Sequence, residues 1–383
     1  MDLVRLPPSQ IVEISRLAFG MADVALLCFG ESDQESPAAA RDALVAALDA
    51  GATTYADVRG ILPLRIALAR YLSALHATPV AETRIQVTAS GMTALNVALA
   101  ATVGAGERVV VHGPLWPNIP NLVRLRAAAV DELDLEPLPG GGFGLDLERL
   151  AARLPGARAL VLNSPNNPTG WTATVQELAA ILALCRRHGV WLISDEVYSR
   201  LTYAAAAAPS LLDIAEPTDR VMVCNSFSKA WAMTGWRLGW LVVPEGARDA
   251  VAEIVEVTHS TVAPFTQHAG VAALADRNFI AAFRAHCARS RALVGEALSG
   301  LECIRYSPPA GAFYAFVRVA GLTDSLHLAR RLVLEHRVAV APGSAFGAAG
   351  EGHLRICFAQ RPERLRPAMQ RLREGLGEAR LAA

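Results

Sequence analysis

Short apolar runs recur along the first two thirds of the chain. They lie at residues 24–28, 108–112, 159–162, 190–193 and 221–224, and a shorter alternating stretch lies at 85–88. Apolar runs of this length are typical of strands buried on both faces of a sheet. Helical patterns lie between them, as at residues 37–50, where proline stands near the predicted first turn. The pattern predicts an α/β fold with a mostly parallel, doubly wound sheet.

The C-terminal third has a different pattern. Residues 266–299 have a helical period with little glycine, and turn-and-strand patterns follow at 308–316, 338–347 and 353–359. No glycine/serine-rich linker and no repeat divides the chain. We predict a large domain over residues 37–275 and a second, smaller α+β domain that combines residues 1–36 with 276–383. The proline and glycine residues of 131–144 predict a surface hairpin or loop.

Composition narrows the class of protein. The 383 residues include 36 basic and 36 acidic residues, so the balance of charge indicates neither a nucleic-acid partner nor a membrane surface. No apolar run is long enough to predict a membrane span, and the acidic, proline-containing start does not fit a signal peptide. Six widely spaced cysteines without a Cys-x-x-Cys pair predict buried thiols, no metal site and a reducing, cytoplasmic location.

The candidate chemistry is concentrated at residues 226–240. Lys229 follows the apolar run at 221–224, and partial desolvation of its amine disfavours the ammonium and favours imine chemistry. Arg237 carries a fixed positive charge suited to a phosphate. An amine for an aldehyde and a guanidinium for a phosphate together predict pyridoxal 5′-phosphate (PLP). The alternative is a solvated lysine and a surface ion pair, but the segment contains almost no other charge.

This segment also carries a family resemblance. Ser-Phe-Ser-Lys at 226–229 and Met-Thr-Gly-Trp-Arg-Leu-Gly at 233–239 resemble the cofactor-lysine signature of the class I/II aminotransferases, which are fold type I PLP-dependent enzymes. Further matching segments extend from Phe29 to Phe358. The resemblance implies that Lys229 forms an aldimine with PLP, and that Ser226 and Arg237 bind the cofactor.

Other segments resemble the family's cofactor site. Ser90, Gly91 and Met92 stand where a strand turns into a helix and resemble its phosphate cup, although such turns are common. Trp116 resembles the aromatic residue that stacks on the pyridine ring, with a core tryptophan as the alternative. The loop Asn-Asn-Pro-Thr-Gly at 166–170 resembles a loop of the family that contacts the cofactor. The resemblance implies that Asn167 binds the 3′-oxygen of the cofactor and contributes to the substrate site. The alternative is an ordinary turn without a role in binding.

The acidic strand end at 195–198 resembles the family's Asp-Glu-x-Tyr. It assigns Asp195 to the pyridine nitrogen and Tyr198 to the 3′-oxygen, with a helix N-cap as the alternative for Asp195. Glu196 is expected to be solvated. Tyr55 resembles the tyrosine that reaches the phosphate bound by a neighbouring subunit, which implies a homodimer with shared active sites.

Two further residues are expected to bind the substrate. Gly30, in a Gly-Glu-x-Asp loop, would let the backbone approach a ligand, although an ordinary glycine turn is equally compatible. Arg355 lies inside an apolar strand and requires an anion there. The resemblance assigns it to the α-carboxylate of the substrate.

These features predict an aminotransferase that moves an amino group between an L-amino acid and a 2-oxo acid in two half-reactions, with Lys229 as general base and acid. A β-lyase or decarboxylase on the same fold and a PLP-binding sensor remain as alternatives. The amino donor and the oxo-acid acceptor stay open. Apolar residues at Ile14, Leu17, Ile119 and Val262 would favour neutral or aromatic side chains if they lie in the substrate pocket.

Overall fold

The architecture comes from a computed structural model, which describes residues 3, 5–76, 78–139 and 141–379. Gly140, in the predicted hairpin region, lies outside the described residues. The helices are α1 (Gln10–Phe19), α2 (Ala38–Asp49), α3 (Leu62–Leu75), α4 (Gly91–Thr102), α5 (Asn118–Leu125), α6 (Leu147–Arg153), α7 (Val175–His188), α8 (Arg248–His259), α9 (Pro264–Ala275), α10 (Phe279–Leu298), α11 (Ser325–His336) and α12 (Pro362–Ala379).

The strands are short, and ten of those in the described residues overlap the apolar runs or the turn-and-strand patterns of the sequence. They are β1 (Ala25–Leu26), β2 (Ile85–Thr88), β3 (Arg108–Gly113), β4 (Ala129–Asp134), β5 (Glu136–Pro137), β6 (Phe143–Gly144), β7 (Ala159–Asn163), β8 (Trp191–Asp195), β9 (Val221–Ser226), β10 (Gly239–Val242), β11 (Ile304–Arg305), β12 (Tyr314–Val319), β13 (Val338–Ala339), β14 (Ala341–Pro342) and β15 (His353–Cys357).

A seven-stranded sheet forms the centre of the fold. Its strand order is β2-β10-β9-β8-β7-β3-β4, and the pairs from β9 to β4 are all parallel. Strand β10 pairs antiparallel with both of its neighbours, β2 and β9. The predicted α/β fold with a mostly parallel sheet is confirmed.

Helices cover both faces of this sheet. Along β3, Val110 packs in one hydrophobic cluster with residues of α3, α6 and α7, whereas Val109 and Val111 pack in a second cluster with residues of α4, α5 and α8. Because side chains alternate between the two faces of a strand, each strand needs apolar residues at consecutive positions. This requirement explains why the strands appear in the sequence as uninterrupted apolar runs.

Local signals fix the ends of individual helices. Helix α7 begins after Thr174, whose hydroxyl accepts from the backbone of Glu177 while the Glu177 carboxylate accepts from Thr174, which is a capping box. The helix ends at Gly189, which adopts φ 65°, a left-handed conformation that glycine adopts without a steric penalty.

A second, smaller antiparallel sheet has the order β11-β12-β15-β14. Residues of α1, α10, α11 and α12 form a third hydrophobic cluster with it. The N-terminal segment joins this part of the fold, since β1 pairs with β13. The second sheet places Tyr314 at the start of β12 and Arg355 in the middle of β15.

Several expectations differ in detail from the structure. The predicted strand at 24–28 is reduced to β1, and the helical stretch 266–299 is two helices, α9 and α10, separated at 276–278. Residues 131–134, which were predicted as part of a surface hairpin or loop, belong to β4 of the central sheet, and β5 and β6 pair antiparallel with each other. All six cysteines are free, and every one except Cys303 is buried. In the part of the chain that the structure describes, no helix has the length and apolarity needed to cross a membrane.

Candidate active site

The carboxyl ends of the central strands surround a cavity of about 180 Å³. In a parallel sheet this edge is the usual place for a ligand. The cavity is lined by Gly91, Met92, Leu95, Trp116, Asn163, Asn167, Asp195, Val197, Tyr198, Ser226, Ser228, Lys229, Thr234 and Arg237. Nine of the residues predicted from the sequence are in this set, and they come from five separate segments of the chain. Gly30, Tyr55, Ser90 and Arg355 are not in the lining.

Lys229 lies in the turn that follows β9 and is half-buried. Its Nζ donates a hydrogen bond of 2.6 Å to the carbonyl oxygen of Gly30, which places Gly30 beside the amine. Nζ also lies 5.7 Å from the centre of the Tyr198 ring. Burial lowers the pKa of the Lys229 amine from 10.5 to about 8. The amine can therefore accept a proton near neutral pH.

Asp195 is the last residue of β8, and it is buried with 7% of its surface exposed. Its Oδ1 accepts a hydrogen bond of 3.2 Å from the backbone of Val197, and no cationic side chain among the described residues forms an ion pair with it. Burial raises the pKa of the Asp195 carboxyl from 3.8 to about 7, against the opposing effects of the Val197 hydrogen bond and the Lys229 charge. A carboxylate in this position requires a cationic ligand group.

Anion-binding groups meet where β2 turns into α4. The helix begins at Gly91, and the Ser90 side chain caps it by accepting from the backbone of Thr93 at 3.1 Å. Ser90 therefore supports the turn, while Gly91 and Met92 line the cavity. The free backbone N–H groups of this first turn, with Ser226 and Arg237 in the same cavity, form a donor set that fits a phosphate.

Glycine at position 239 permits this arrangement. A Cβ atom at Gly239 would lie 2.6 Å from the carbonyl carbon of Ser90 and 2.8 Å from the nitrogen of Gly91. Strand β10 therefore passes so close to the start of α4 that only glycine fits without moving backbone. The same close packing fixes the direction of the first turn of the helix.

Asn163, the last residue of β7, organises the loop that follows it. Its Oδ1 accepts from the backbone of Asn167 at 2.8 Å, and its Nδ2 donates to the backbone oxygen of Asp195 at 3.2 Å. Its own backbone N–H donates to Nε2 of buried His112 at 3.0 Å. One side chain thus holds two predicted site residues in place. Asn163 was not among the residues predicted for the site, although a polar residue at the end of a buried strand is a usable signal.

Asn167 and Trp116 lie on this loop and beside it. The Trp116 backbone donates to the Asn167 carbonyl oxygen at 3.0 Å. The Asn167 side-chain oxygen accepts from Arg355 at 3.0 Å, and its Nδ2 has no hydrogen-bond partner among the described residues. The Asn167 amide is therefore available as a donor to a ligand.

Arg355 is fully buried in β15. Its guanidinium donates to Asn167 and to the backbone oxygen of Cys28, and it lies 4.4 Å from the ring centre of Tyr314 and 4.9 Å from that of Phe346. No carboxylate pairs with it among the described residues, and its Nε has no hydrogen-bond partner. A buried guanidinium with an unused donor fits a carboxylate ligand.

Tyr198 is buried, and its hydroxyl lies 2.6 Å from the hydroxyl of Tyr314. Tyr314 comes from the second sheet, and the sequence analysis did not single it out. Tyr55, in contrast, is 87% exposed on the surface of the single chain. It has no part in the cavity of its own subunit.

Other expectations were wrong. Glu196 is buried instead of solvated, and its carboxylate accepts from Ser194, Ser210 and the backbone of Leu211 at 3.0, 2.6 and 3.2 Å. Burial raises its pKa. The apolar residues considered for a substrate pocket, Ile14, Ile119 and Val262, pack instead in the three hydrophobic clusters, and Leu17 packs against one of them.

The cavity fits PLP in the chemistry of its donors and acceptors. Phosphate-binding groups, a carboxylate without a cationic partner and an amine of lowered pKa line one cavity together with an indole ring. The composition of the chain contains a further signal for this lysine. Of the 36 lysine and arginine residues, Lys229 is the only lysine. Every other basic position carries a guanidinium, which does not form a stable imine with an aldehyde.

Comparison with known proteins gives the same assignment. The family model of aminotransferase class I and II matches residues 22–372. An aspartate/prephenate aminotransferase of Thermus thermophilus is 35% identical, with 97% of each chain covered, and an aromatic-amino-acid aminotransferase of Thermococcus litoralis is 33% identical, covering 98% of this chain and 97% of the relative.

Solved structures agree with the sequence comparison. An aminotransferase from Mycobacterium tuberculosis superposes with a TM-score of 0.92 at 32% identity, over 99% of this chain and 100% of that one. The maleate complex of the Thermus thermophilus aspartate aminotransferase gives a TM-score of 0.88 at 32% identity, with 98% and 100% covered. The chain belongs to the class I and II aminotransferases, and it is a PLP-dependent aminotransferase of fold type I.

Proposed function

We propose that this aminotransferase moves an amino group between an L-amino acid and a 2-oxo acid in two half-reactions, with Lys229 as the group that transfers the proton. The observation that carries the assignment is the position of Lys229. It is the only lysine of the chain, it has a lowered pKa of about 8, and it lines the same cavity as Asp195 and Arg237.

The residues that hold the cofactor follow from the donor set. Arg237, Ser226 and the backbone N–H groups of Gly91 and Met92 bind the phosphate, with Ser90 capping that turn. Trp116 would pack on the ring, and Tyr198 and the free amide of Asn167 would donate to the 3′-oxygen. The Asp195 carboxylate binds the protonated ring nitrogen, which is the cation that its buried position requires. When bound, PLP supplies an electron sink for the charge left on the substrate's α-carbon.

Lys229 holds and moves the proton. Its Nζ accepts the proton from the substrate's α-carbon as general base, and returns it as general acid later in the half-reaction. The lowered pKa suits both roles, because a base is most effective when its pKa is close to the working pH. The Gly30 carbonyl oxygen directs the amine by accepting its hydrogen bond at 2.6 Å.

Arg355 binds the α-carboxylate of both substrates. Its contact with Asn167 orients the guanidinium, and its unpaired Nε offers a further donor. Among the described residues of the lining, the cationic side chains are Lys229 and Arg237, which have roles toward the cofactor. We therefore expect amino donors with uncharged side chains, including aromatic ones, because a second carboxylate would be buried without a partner.

The active unit is proposed to be a homodimer in which Tyr55 reaches the phosphate of the neighbouring site. Tyr55 and Val257 are 87% and 84% exposed, and a hydrogen bond of 3.2 Å from Thr261 to the Asp57 carbonyl oxygen joins their segments. Large exposed apolar side chains grouped in this way are typical of an interface. The division into a large domain of residues 37–275 and a small domain of residues 1–36 and 276–383, and the cytoplasmic location, stay predictions.

A single experiment tests the assignment of Lys229. Protein mixed with PLP is reduced with borohydride and digested, and the labelled peptide is identified by mass spectrometry. We expect the label on Lys229 in the wild type and no labelled lysine in Lys229→Ala. Label on the α-amino group alone, with none on Lys229, would contradict the assignment.

The substrate proposal is tested with a panel of amino donors against 2-oxoglutarate and pyruvate, with both products measured. We expect kcat/KM for phenylalanine or leucine to exceed that for aspartate by about tenfold or more, because aspartate would bring an unpaired carboxylate. A preference for aspartate would show that a cationic group from elsewhere, such as the partner subunit, completes the pocket. Ammonia released with an oxo acid, without transfer, would identify a lyase.

A further inference from the structure

Tyr314 is a buried residue that contacts the active site from the second sheet. It begins β12, and none of its surface is exposed. Its hydroxyl lies 2.6 Å from that of Tyr198, and the two rings meet edge to face with their centres 5.6 Å apart. Neither hydroxyl has another hydrogen-bond partner among the described residues.

We propose that Tyr314 is a positioning residue for aminotransfer: its hydroxyl donates to the oxygen of Tyr198 and thereby directs the Tyr198 proton to the 3′-oxygen of PLP. This inference rests on the role proposed above for Tyr198. It assigns Tyr314 no contact with the reacting atoms.

The hydrogen-bond direction follows from the groups around the pair. A phenol has one proton, so one hydroxyl of the pair donates and the other keeps its proton free for a third partner. The guanidinium of Arg355 lies 4.4 Å from the ring centre of Tyr314, and a cation on the ring of a phenol makes its hydroxyl a stronger donor. Burial raises the pKa of both phenols, and the Arg355 charge acts against this rise at both of them, although its guanidinium lies over the ring of Tyr314. Tyr198 lines the cavity, whereas the hydroxyl of the fully buried Tyr314 has no other acceptor among the described residues. We therefore take Tyr314 as the donor, so that Tyr198 keeps its proton for the ligand.

The backbone at Gly30 makes room for this hydroxyl. A Cβ atom at Gly30 would lie 2.2 Å from the Tyr314 hydroxyl oxygen and 3.6 Å from Nζ of Lys229. The carbonyl oxygen of Gly30 accepts from the same Nζ. The Tyr314 hydroxyl thus lies at the edge of the active site, close to the amine, although its ring belongs to a hydrophobic cluster.

The test is the pH midpoint of the absorbance change of the bound cofactor. Without the Tyr314 hydroxyl, Tyr198 is a weaker and less directed donor, so the negative charge on the 3′-oxygen is less stabilised and the neighbouring imine nitrogen keeps its proton to higher pH. We expect Tyr314→Phe to raise the midpoint by about 0.5 to 1 pH unit. Tyr314→Phe retains the aromatic ring that packs against Arg355, so we expect KM for the amino acid to change by less than about twofold.

The chain offers a matched control in Tyr203. Its hydroxyl donates to the backbone oxygen of Ala312 at 2.6 Å, and the guanidinium of Arg291 lies 4.2 Å from its ring centre. Tyr203→Phe removes a comparable hydrogen bond outside the cavity. We expect it to lower the melting temperature about as much as Tyr314→Phe and to leave the spectroscopic midpoint unchanged.

A double-mutant cycle separates action through Tyr198 from other effects. In a Tyr198→Phe background, Tyr314→Phe should add no further shift of the midpoint. If Tyr314→Phe shifts the pH midpoint equally in both backgrounds, the proposal for Tyr314 is overturned. It is also overturned if Tyr314→Phe leaves the midpoint unchanged while Tyr198→Phe shifts it. Neither result affects the role of Tyr198. If Tyr198→Phe leaves the pH midpoint unchanged, the proposed role of Tyr198 is overturned as well. The proposed function is tested independently, by measuring aminotransfer by the wild type in the same preparation.

Discussion

At the residue scale, burial changes the acid–base chemistry of two side chains in opposite directions. The amine of Lys229 has its pKa lowered, and the carboxyl of Asp195 has its pKa raised, because both lose hydration of their charged forms. Burying such groups destabilises the folded state, and residues with strongly shifted pKa values cluster at functional sites. Both effects can be measured on the cofactor-free protein.

The pKa of Lys229 is directly accessible because the chain contains no other lysine. Reductive methylation with ¹³C-formaldehyde labels this amine and the N-terminal amine, and NMR follows each label with pH. We expect the Lys229 signal to titrate near pH 8, while the same label in the unfolded chain titrates near the ordinary lysine value of about 10.4. Lys229→Arg identifies the signal by removing it. A midpoint in the folded protein equal to that of the unfolded chain would refute the effect of burial.

Asp195 makes stability depend on pH. Its pKa is higher in the folded state, about 7, than its ordinary 3.8, so the folded state binds more protons and stability falls as pH rises between these values. The difference corresponds to a cost on the order of 4 kcal/mol above pH 7. Without cofactor, Asp195→Asn should therefore unfold at higher urea concentration than the wild type at pH 8.

The same comparison at low pH supplies the control. Below about pH 4 both side chains are neutral, so the advantage of Asp195→Asn should disappear. With PLP bound, the order should reverse, since the carboxylate then has its cationic partner. A variant that is equally stabilised at both pH values, or destabilised at pH 8 without cofactor, would contradict this account.

At the element scale, the phosphate-binding turn depends on how closely β10 passes the start of α4. Gly239→Ala would place a methyl group against the backbone of Ser90 and Gly91, so that backbone would have to shift. Overpacking of this kind costs about 1 to 3 kcal/mol. We expect the dissociation constant for PLP, measured by fluorescence titration, to rise about tenfold or more.

Gly235→Ala is the matched substitution on the same segment, because a Cβ atom there would meet no atom within 4 Å. Its affinity for PLP and its melting temperature should stay close to those of the wild type. If the two substitutions changed the affinity for PLP and the melting temperature equally, the effect of Gly239→Ala would not come from its contact with α4.

At the scale of the whole molecule, the proposed site joins two sheets of one chain and two chains of a dimer. Arg355 and Tyr314 come from the second sheet, Gly30 follows β1, and the residues that line the cavity follow strands of the central sheet. Tyr55 is exposed and does not line the cavity of its own chain. The shared site can be tested by mixing two inactive variants, since a hybrid dimer of Tyr55→Ala and Lys229→Ala contains one site with both native residues.

We expect each variant alone to have little activity and an equal mixture, after subunit exchange, to recover about a quarter of the wild-type activity, because half of the dimers are hybrids with one intact site. A mixture of Lys229→Ala with Asp195→Asn is the control. Both residues lie in the same cavity of one chain, so no hybrid restores a site. Absence of recovery in the first mixture, with exchange shown by mass spectrometry, would contradict the shared site.

Much of the site could be predicted from the sequence because its residues stand in short motifs at strand ends. Nine predicted residues line one cavity, and the chain order of the motifs follows the strands β2, β3, β7, β8 and β9. Glu196 could not be placed, because its burial depends on Ser210 and Leu211, which belong to a later loop. Tyr314 appeared only as a residue of an apolar strand.

The sequence by itself determined the α/β class, the positions of five of the seven central strands and the reactive amine, since apolar runs, turn residues and a single lysine are local properties of the chain. The tertiary structure alone decided which of these residues meet. Lys229 donates to Gly30 across 199 positions, Arg355 to Asn167 across 188, and Tyr198 contacts Tyr314 across 116. Burial, and with it each shifted pKa, arises from such distant contacts, which no local pattern specifies.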